Sequence, residues 1–183
     1  MPFLDDLPDN AGPPAVFKRF PEAYGPFSEM SQALMNGPSP LSPGERELIL
    51  AFAAGAMGCQ FVLTGHSEAA YAWGIPRGTL DDIDSAEVDA PLKPLLHFVR
   101  KLAVTPNDMT QADADAVLAH WPAQALHDAV AITGRAAFMQ RLTAGMGFAP
   151  LDVEVARTHA KKRVEKGYVN LYSAFRKDPA KDG

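Results

Sequence analysis

The stretch from Leu41 to His66 constrains the fold of this chain more than any other part, because it predicts two helices joined by glycines. Ser42 suits the N-cap of the first helix, and Glu45 follows three residues later, which is the Ser-x-x-Glu pattern of a capping box. From Leu48 to Met57 every residue is apolar or glycine, so no side of this helix favours contact with water. The sequence therefore predicts a buried helix at the centre of the protein.

Glu47 is a carboxylate that the capping pattern does not explain. The residues three, four and seven positions beyond it are Leu50, Ala51 and Ala54, so on a helix it shares a face with small apolar groups. A buried carboxylate is costly unless it is paired or protonated. We expect its partner to be His66, a contact that requires the two helices to pack against each other as a hairpin.

Cys59 is the single cysteine of the chain, and the glycines before it place it at a helix start. Gly55 and Gly58 weaken and then end the first helix, so the second is expected from about residue 60 to residue 73. The unpaired amide groups at a helix start favour the thiolate form of a cysteine. Positions 59, 62 and 66 are three and four residues apart and line one stripe of that helix, which reads Cys, Val, His.

Glu47, Cys59 and His66 have the spacing of a known motif. The pattern Glu-x11-Cys-x2-Val-x3-His resembles the alkylhydroperoxidase D motif, Glu-x11-Cys-x2-Cys-x3-His, of the carboxymuconolactone decarboxylase superfamily. The resemblance extends over about residues 20–148 and is closest to the peroxidase-related branch of the superfamily, at Gly37-Pro-Ser-Pro-Leu-Ser, Glu45-Arg-Glu-Leu-Ile, Gln124-Ala-Leu-His-Asp-Ala-Val and Phe138-Met-Gln-Arg-Leu. It implies an all-α, alkylhydroperoxidase D-like helical bundle built around a central helix hairpin, in a homo-oligomer of two, three or six subunits. It also implies that Cys59, His66 and Glu47 are catalytic.

Val62 departs from this motif at the position of the cysteine that attacks the peroxide in the family. Cys59 is seven residues from His66, about 10 Å along a helix axis at 1.5 Å per residue, whereas a hydrogen bond needs about 3 Å. With one cysteine the chain cannot form an internal disulfide. The dithiol cycle of the family is therefore excluded.

Three functions remain open on this basis. The first is an oxidoreductase that reduces peroxides through Cys59 alone, an antioxidant activity sustained by an external thiol reductant, with Glu47 and His66 relaying protons through a water. The second is acid/base chemistry by His66 and Glu47 on a small lactone or acid, without a cofactor, as in the decarboxylase branch. The third is an oligomeric binding protein without catalysis, in which Cys59 is an inert small hydrophobic residue and His66 is satisfied by a backbone carbonyl.

Composition limits the partners and the compartment. The chain has 183 residues, enough for one domain with a sizeable core, and a formal net charge of -5 without a basic stripe, so we expect no nucleic-acid partner. The longest apolar run is far shorter than the ~20 residues that cross a membrane, and the acidic N-terminus does not resemble a signal peptide. One cysteine suits a reducing compartment, so the protein is predicted to be cytoplasmic. His97, His120, His127 and His159 lack the spacing of metal ligands, and we predict no metal and no cofactor.

The rest of the chain is predicted to be helical and to form a single domain over residues 1–183. Residues 1–26, rich in proline and aspartate, are expected to form an extended N-terminal arm with a short helix over 16–20, and residues 150–183 a short C-terminal extension with a short aromatic segment over 169–175. Further helices are predicted over residues 27–35, 76–83, 91–104, 111–120, 123–144 and 158–165. The longest of them is expected to bury Leu126, Ala129, Val130, Thr133, Ala137 and Leu142.

Overall fold

A computed structural model describes residues 1–85 and 88–168. Over these residues the secondary structure is helical and contains no strand, which confirms the all-α prediction. The helices are α1 (Pro13–Arg19), α2 (Pro21–Asn36), α3 (Pro43–Ala56), α4 (Gln60–Ala72), α5 (Leu92–Val104), α6 (Gln111–Leu118), α7 (Ala123–Gly145) and α8 (Val153–Lys166), with one 3-10 turn (Pro106–Asp108) between α5 and α6.

The predicted hairpin of α3 and α4 forms the centre of the molecule. Its first helix begins with the expected capping box, in which the Glu45 amide donates to Ser42 Oγ at 3.2 Å and the Ser42 amide donates to Glu45 Oε2 at 2.6 Å. All residues from Leu48 to Ala54 are buried, because α3 packs on α4, α5 and α7 together. Gly58, with a φ of 74°, turns the chain between the two helices, a backbone conformation that favours glycine.

The long helix α7 packs against α3 on a face that the sequence predicts only in part. Ala129, Thr133 and Leu142 are buried as expected, but Val130 is 43% exposed. Asp128 and Arg135 are buried instead. Their hydrogen bonds, from Ser39 Oγ to Asp128 Oδ2 at 2.6 Å and from Arg135 Nε to Ser31 Oγ at 3.0 Å, make the burial of these charged groups tolerable. A prediction based on hydropathy places both residues on the solvent side.

The N-terminal segment and residues 76–83 also differ from the expectation. Much of the predicted arm over 1–26 lies in α1 and the start of α2, where Phe17 stacks on Tyr24 with ring centroids 4.6 Å apart. Residues 76–83 form turns instead of the predicted short helix, around Gly78 at a φ of 91°. The predicted aromatic segment over 169–175 lies outside the described residues, and the division into one domain with an arm and an extension stays a prediction.

Within the described residues, no helix is both long enough and apolar enough to cross a membrane.

Candidate functional site

Glu47 and His66 meet inside the α3–α4 hairpin. His66 Nδ1 lies 2.6 Å from Glu47 Oε2, and the residues are 6% and 1% exposed. Glu47 lies on the face of α3 that packs against α4. After the turn at Gly58 the chain runs back along α3 as α4, which brings His66 beside the carboxylate. The structure therefore brings two of the three predicted site residues together, while their catalytic role stays a prediction.

Tyr168 completes this pair and was not found by sequence reasoning. Its hydroxyl donates to Glu47 Oε1 at 2.7 Å, so that each oxygen of the carboxylate has a partner. Tyr168 is 3% exposed and follows α8, which packs along α4. It lies 121 positions from Glu47 in the chain, and no spacing pattern links a residue at that distance to the motif.

Two arginines surround this network. The Arg135 guanidinium lies over the Tyr168 ring at 4.8 Å from its centroid, and the Arg163 guanidinium at 5.4 Å. Arg163 also donates to the Gly65 carbonyl at 3.3 Å and approaches His66 Nδ1 at 3.5 Å. We assign the Nδ1 proton to the much shorter contact with Glu47. Arg163 therefore acts on His66 through its positive charge and not through a hydrogen bond.

The protonation states of the pair follow from these neighbours. Burial and the charges of Arg163 and Arg135 lower the pKa of His66 below its ordinary value, although Glu47 opposes the shift. Burial alone would raise the pKa of Glu47, but His66, Arg163 and the Tyr168 hydroxyl outweigh it and lower the pKa of this carboxyl. At neutral pH the site therefore holds a carboxylate and a neutral imidazole whose Nε2 is a proton acceptor. Such a pair can take up and return a proton during a reaction.

Cys59 lies at the other end of α4 with a different partner. It is the N-cap residue of α4, it is 7% exposed, and its Sγ is 3.6 Å from Thr143 Oγ1 of α7. Because the Thr143 hydroxyl donates to the Gln140 carbonyl at 3.1 Å, its oxygen is left to accept from the thiol. The structure thus joins Cys59 to α7 and not to the Glu47–His66 pair. Val62, one turn closer to His66 on the same stripe, is also buried.

A cavity of about 450 Å³ opens on another side of α4. Its lining includes Phe52, Leu63, Thr64, Tyr71 and Arg100, but none of Glu47, Cys59 and His66. This cavity therefore does not bring the three predicted site residues together. Among residues 1–85 and 88–168, no group of three or more potential metal ligands lies close together.

Acidification is expected to destabilise the protein through His66. The pKa of His66 in the folded state lies below the unfolded value of 6.5. Its contribution to stability is therefore fully present above pH 6.5. This contribution is lost as the pH falls, because the unfolded chain then binds the proton more readily than the folded protein does. We expect the free energy of unfolding to fall by about 1.4 kcal/mol in total between pH 7.5 and pH 5.5 through this one group. Urea denaturation between pH 7.5 and pH 5.5 measures it.

His66→Gln should remove this contribution, whereas the exposed His120→Gln should keep the full slope. A His66→Gln variant with the pH dependence of the parent would show that His66 is not the titrating group.

Comparisons with known proteins support the fold and no finer assignment. No family model matches the chain. No curated protein matches it either. A solved structure of a peroxidase-related protein from Silicibacter sp. is 22% identical and superposes with a TM-score of 0.64, covering 80% of this chain and 90% of that one. A second, an alkylhydroperoxidase AhpD core and peroxidase-related protein from Ralstonia eutropha, is 21% identical with a TM-score of 0.70, covering 78% of each chain.

These similarities define the class of the fold. The chain has an all-α, alkylhydroperoxidase D-like helical fold, as the sequence predicts, and the α3–α4 hairpin carrying Glu47 and His66 lies at its centre. At 21% and 22% identity the similarity establishes the fold alone. What the protein does must be argued from its own site.

Proposed function

We propose that the protein is a peroxidase-related enzyme of the alkylhydroperoxidase D-like superfamily, which reduces a hydroperoxide at Cys59 with an external thiol as reductant. The observation that carries this proposal is the buried 2.6 Å contact between His66 and Glu47. A neutral imidazole held by a carboxylate has a free nitrogen that accepts a proton during a reaction, although its lowered pKa makes it a weak base. Cys59, the candidate nucleophile, begins the helix on which His66 lies.

Each reaction cycle uses the thiol of Cys59 and consumes two molecules of an external thiol. The Cys59 thiolate attacks one oxygen of the peroxide, the O–O bond breaks, and the sulfur is oxidised to a sulfenic acid while the peroxide is reduced to an alcohol. An external thiol then condenses with the sulfenic acid to give a mixed disulfide and water. A second external thiol releases Cys59 and leaves as the disulfide of the reductant.

Glu47 and His66 would move the protons of this cycle. His66 Nε2 takes the proton of the thiol, Glu47 stabilises the imidazolium that forms, and the proton returns to the leaving alkoxide. Because Cys59 and His66 are seven residues apart on one helix, about 10 Å along the axis, the transfer needs a chain of bridging waters, since one water spans only about 6 Å. We therefore propose a slower reaction than that of enzymes with two cysteines.

A second candidate is acid/base chemistry on a small lactone or organic acid without participation of the thiol. The contact of Cys59 with Thr143 favours it, because the Glu47–His66 pair is then complete without the sulfur. This reaction needs only a base and its conjugate acid, and the Glu47–His66 pair can act as both.

Three variants separate these candidates. The measured quantity is the rate at which tert-butyl hydroperoxide is reduced, with dithiothreitol as the external thiol. If the proposal holds, Cys59→Ser abolishes turnover above background, and His66→Asn lowers it by about 10² to 10⁴, the usual contribution of a general base. His120→Asn, an exposed histidine, serves as the control and should match the parent. Turnover that survives in Cys59→Ser would contradict thiol chemistry. Lactone hydrolysis or decarboxylation that depends on His66 but not on Cys59 would establish the second candidate.

The proposed partners follow from this chemistry and from the sequence. We propose a small-molecule substrate, an external thiol, a homo-oligomer and a cytoplasmic location, with neither nucleic acid nor membrane as a partner. Light scattering coupled to size-exclusion chromatography measures the number of subunits directly.

A further inference from the structure

Tyr168 has the position of a ligand within the Glu47–His66 site. Its hydroxyl donates to a catalytic candidate, Glu47, and its ring lies against two guanidinium groups, those of Arg135 and Arg163. The phenol thus makes with the carboxylate the contact that the O–H of a substrate would make. It is buried together with Glu47 and covers this side of the carboxylate.

Arg135 indicates what the site would bind in place of this ring. It is 6% exposed, its Nε donates to Ser31, and its Nη1 is buried without a hydrogen-bond partner among residues 1–85 and 88–168. A buried, unpartnered guanidinium nitrogen is costly, so it requires an explanation. Glu47 does not supply one, since neither of its oxygens lies within hydrogen-bond distance of this nitrogen.

The attachment of Tyr168 to the fold allows it to leave. Gly167, with a φ of 65°, ends α8 immediately before it, and rotation about this glycine moves the ring without disturbing the helix. Tyr168 also packs in the hydrophobic core, and its amide donates to Gln32 Oε1 at 2.6 Å. The hairpin that carries Glu47 and His66 does not depend on this bond.

We propose that Tyr168 occupies the substrate position, and that the ligand which replaces it is a small, flat organic acid carrying a hydroxyl group. The O–H of the ligand donates to Glu47 as the phenol does, and its acid group accepts from Arg135 Nη1. This inference deepens the second candidate function, acid/base chemistry by the Glu47–His66 pair on a small organic acid, and it rests on that function because the ligand would be the substrate of the pair. Its test measures binding alone, so it fails or succeeds independently of turnover.

The test is the affinity of 4-hydroxybenzoate for Tyr168→Ala, measured by calorimetry and by the NMR shifts of His66. We expect this variant to bind 4-hydroxybenzoate at least about tenfold more tightly than the parent does, because the site no longer has to open. It should also bind the neutral 4-hydroxybenzyl alcohol at least about tenfold more weakly, the discrimination that a hydrogen bond to a charged group provides. Benzoate, which lacks the hydroxyl, should likewise bind more weakly than 4-hydroxybenzoate.

Two further variants assign the effect to this site. Arg135→Met in the Tyr168→Ala background should abolish the preference for the acid over the alcohol. Tyr71→Ala is the matched control, since Tyr71 is also stacked by an arginine, Arg77 at 4.5 Å, but lies at the other cavity. Its affinity for 4-hydroxybenzoate should equal that of the parent.

Equal affinity of Tyr168→Ala for the acid and the alcohol would overturn the proposal, as would equal affinity of this variant and the parent for the acid. If Tyr168→Ala does not fold, Tyr168→Phe retains the ring and removes only the hydrogen bond to Glu47. It should then bind 4-hydroxybenzoate more tightly than the parent, and an unchanged affinity would overturn the proposal. Intact binding together with absent peroxide turnover would refute the proposed function and leave this inference standing.

Discussion

Replacing Glu47 with glutamine is expected to lower the free energy of unfolding by about 3 kcal/mol, the upper end of the cost of leaving a buried hydrogen-bonding group unsatisfied. Both oxygens of Glu47 accept, from His66 Nδ1 and from the Tyr168 hydroxyl. Glutamine offers one accepting oxygen and one donating nitrogen, so one of the two donors would face another donor. The change also removes the negative charge that lies among the positive charges of Arg163 and Arg135.

Chemical denaturation at pH 7.5 measures this loss, with Glu29→Gln as the control. Glu29 is an exposed carboxylate on α2, and its replacement should change the free energy of unfolding by no more than about 0.5 kcal/mol. The ¹⁵N shift of His66 Nδ1 should move as well, because its hydrogen-bond acceptor changes. If Glu47→Gln were as stable as Glu29→Gln, the buried pair would not be a stabilising element of this fold.

Replacing Val62 with cysteine is expected to create a redox-active dithiol with Cys59. Position 62 is three residues beyond Cys59 and four before His66 on α4, so the new thiol lies within one turn of each. We expect an internal disulfide to form with mild oxidant, and peroxide turnover at least about tenfold above that of the parent, since His66 would then act on a neighbouring thiol without a bridging water. Val62 is buried, and a cysteine of similar size should cost less than about 1.5 kcal/mol there.

Thiol titration before and after oxidation measures this change, and Thr64→Cys is the matched control. Thr64 is on the same helix but lines the separate cavity, so its thiol faces away from Cys59. The control should keep two free thiols under conditions in which Val62→Cys loses both. An absence of oxidation in Val62→Cys would mean that positions 59 and 62 do not lie on one accessible stripe of α4.

The local elements of the site could be predicted because their signals are local. Ser42 and Glu45 lie three residues apart, and the capping box they form depends on that spacing alone. The contact of Glu47 with His66 was also within reach, since a carboxylate on a wholly apolar helix needs a partner and the next helix offers an imidazole. The prediction for α7 was wrong at Val130 because hydropathy does not identify charged residues, such as Asp128 and Arg135, that are buried with hydrogen bonds.

By itself the sequence determined an all-helical chain, a central hairpin and an acid–imidazole pair within it, because helix periodicity, capping and glycine breaks act over a few residues. Only the tertiary structure decided that Tyr168 closes the site and that Arg135 and Arg163 lie against its ring. It also decided that Cys59 contacts Thr143 and not the pair. These contacts join residues far apart in the chain, and they depend on how α8 and α7 pack on the hairpin, which leaves no periodic pattern in the sequence.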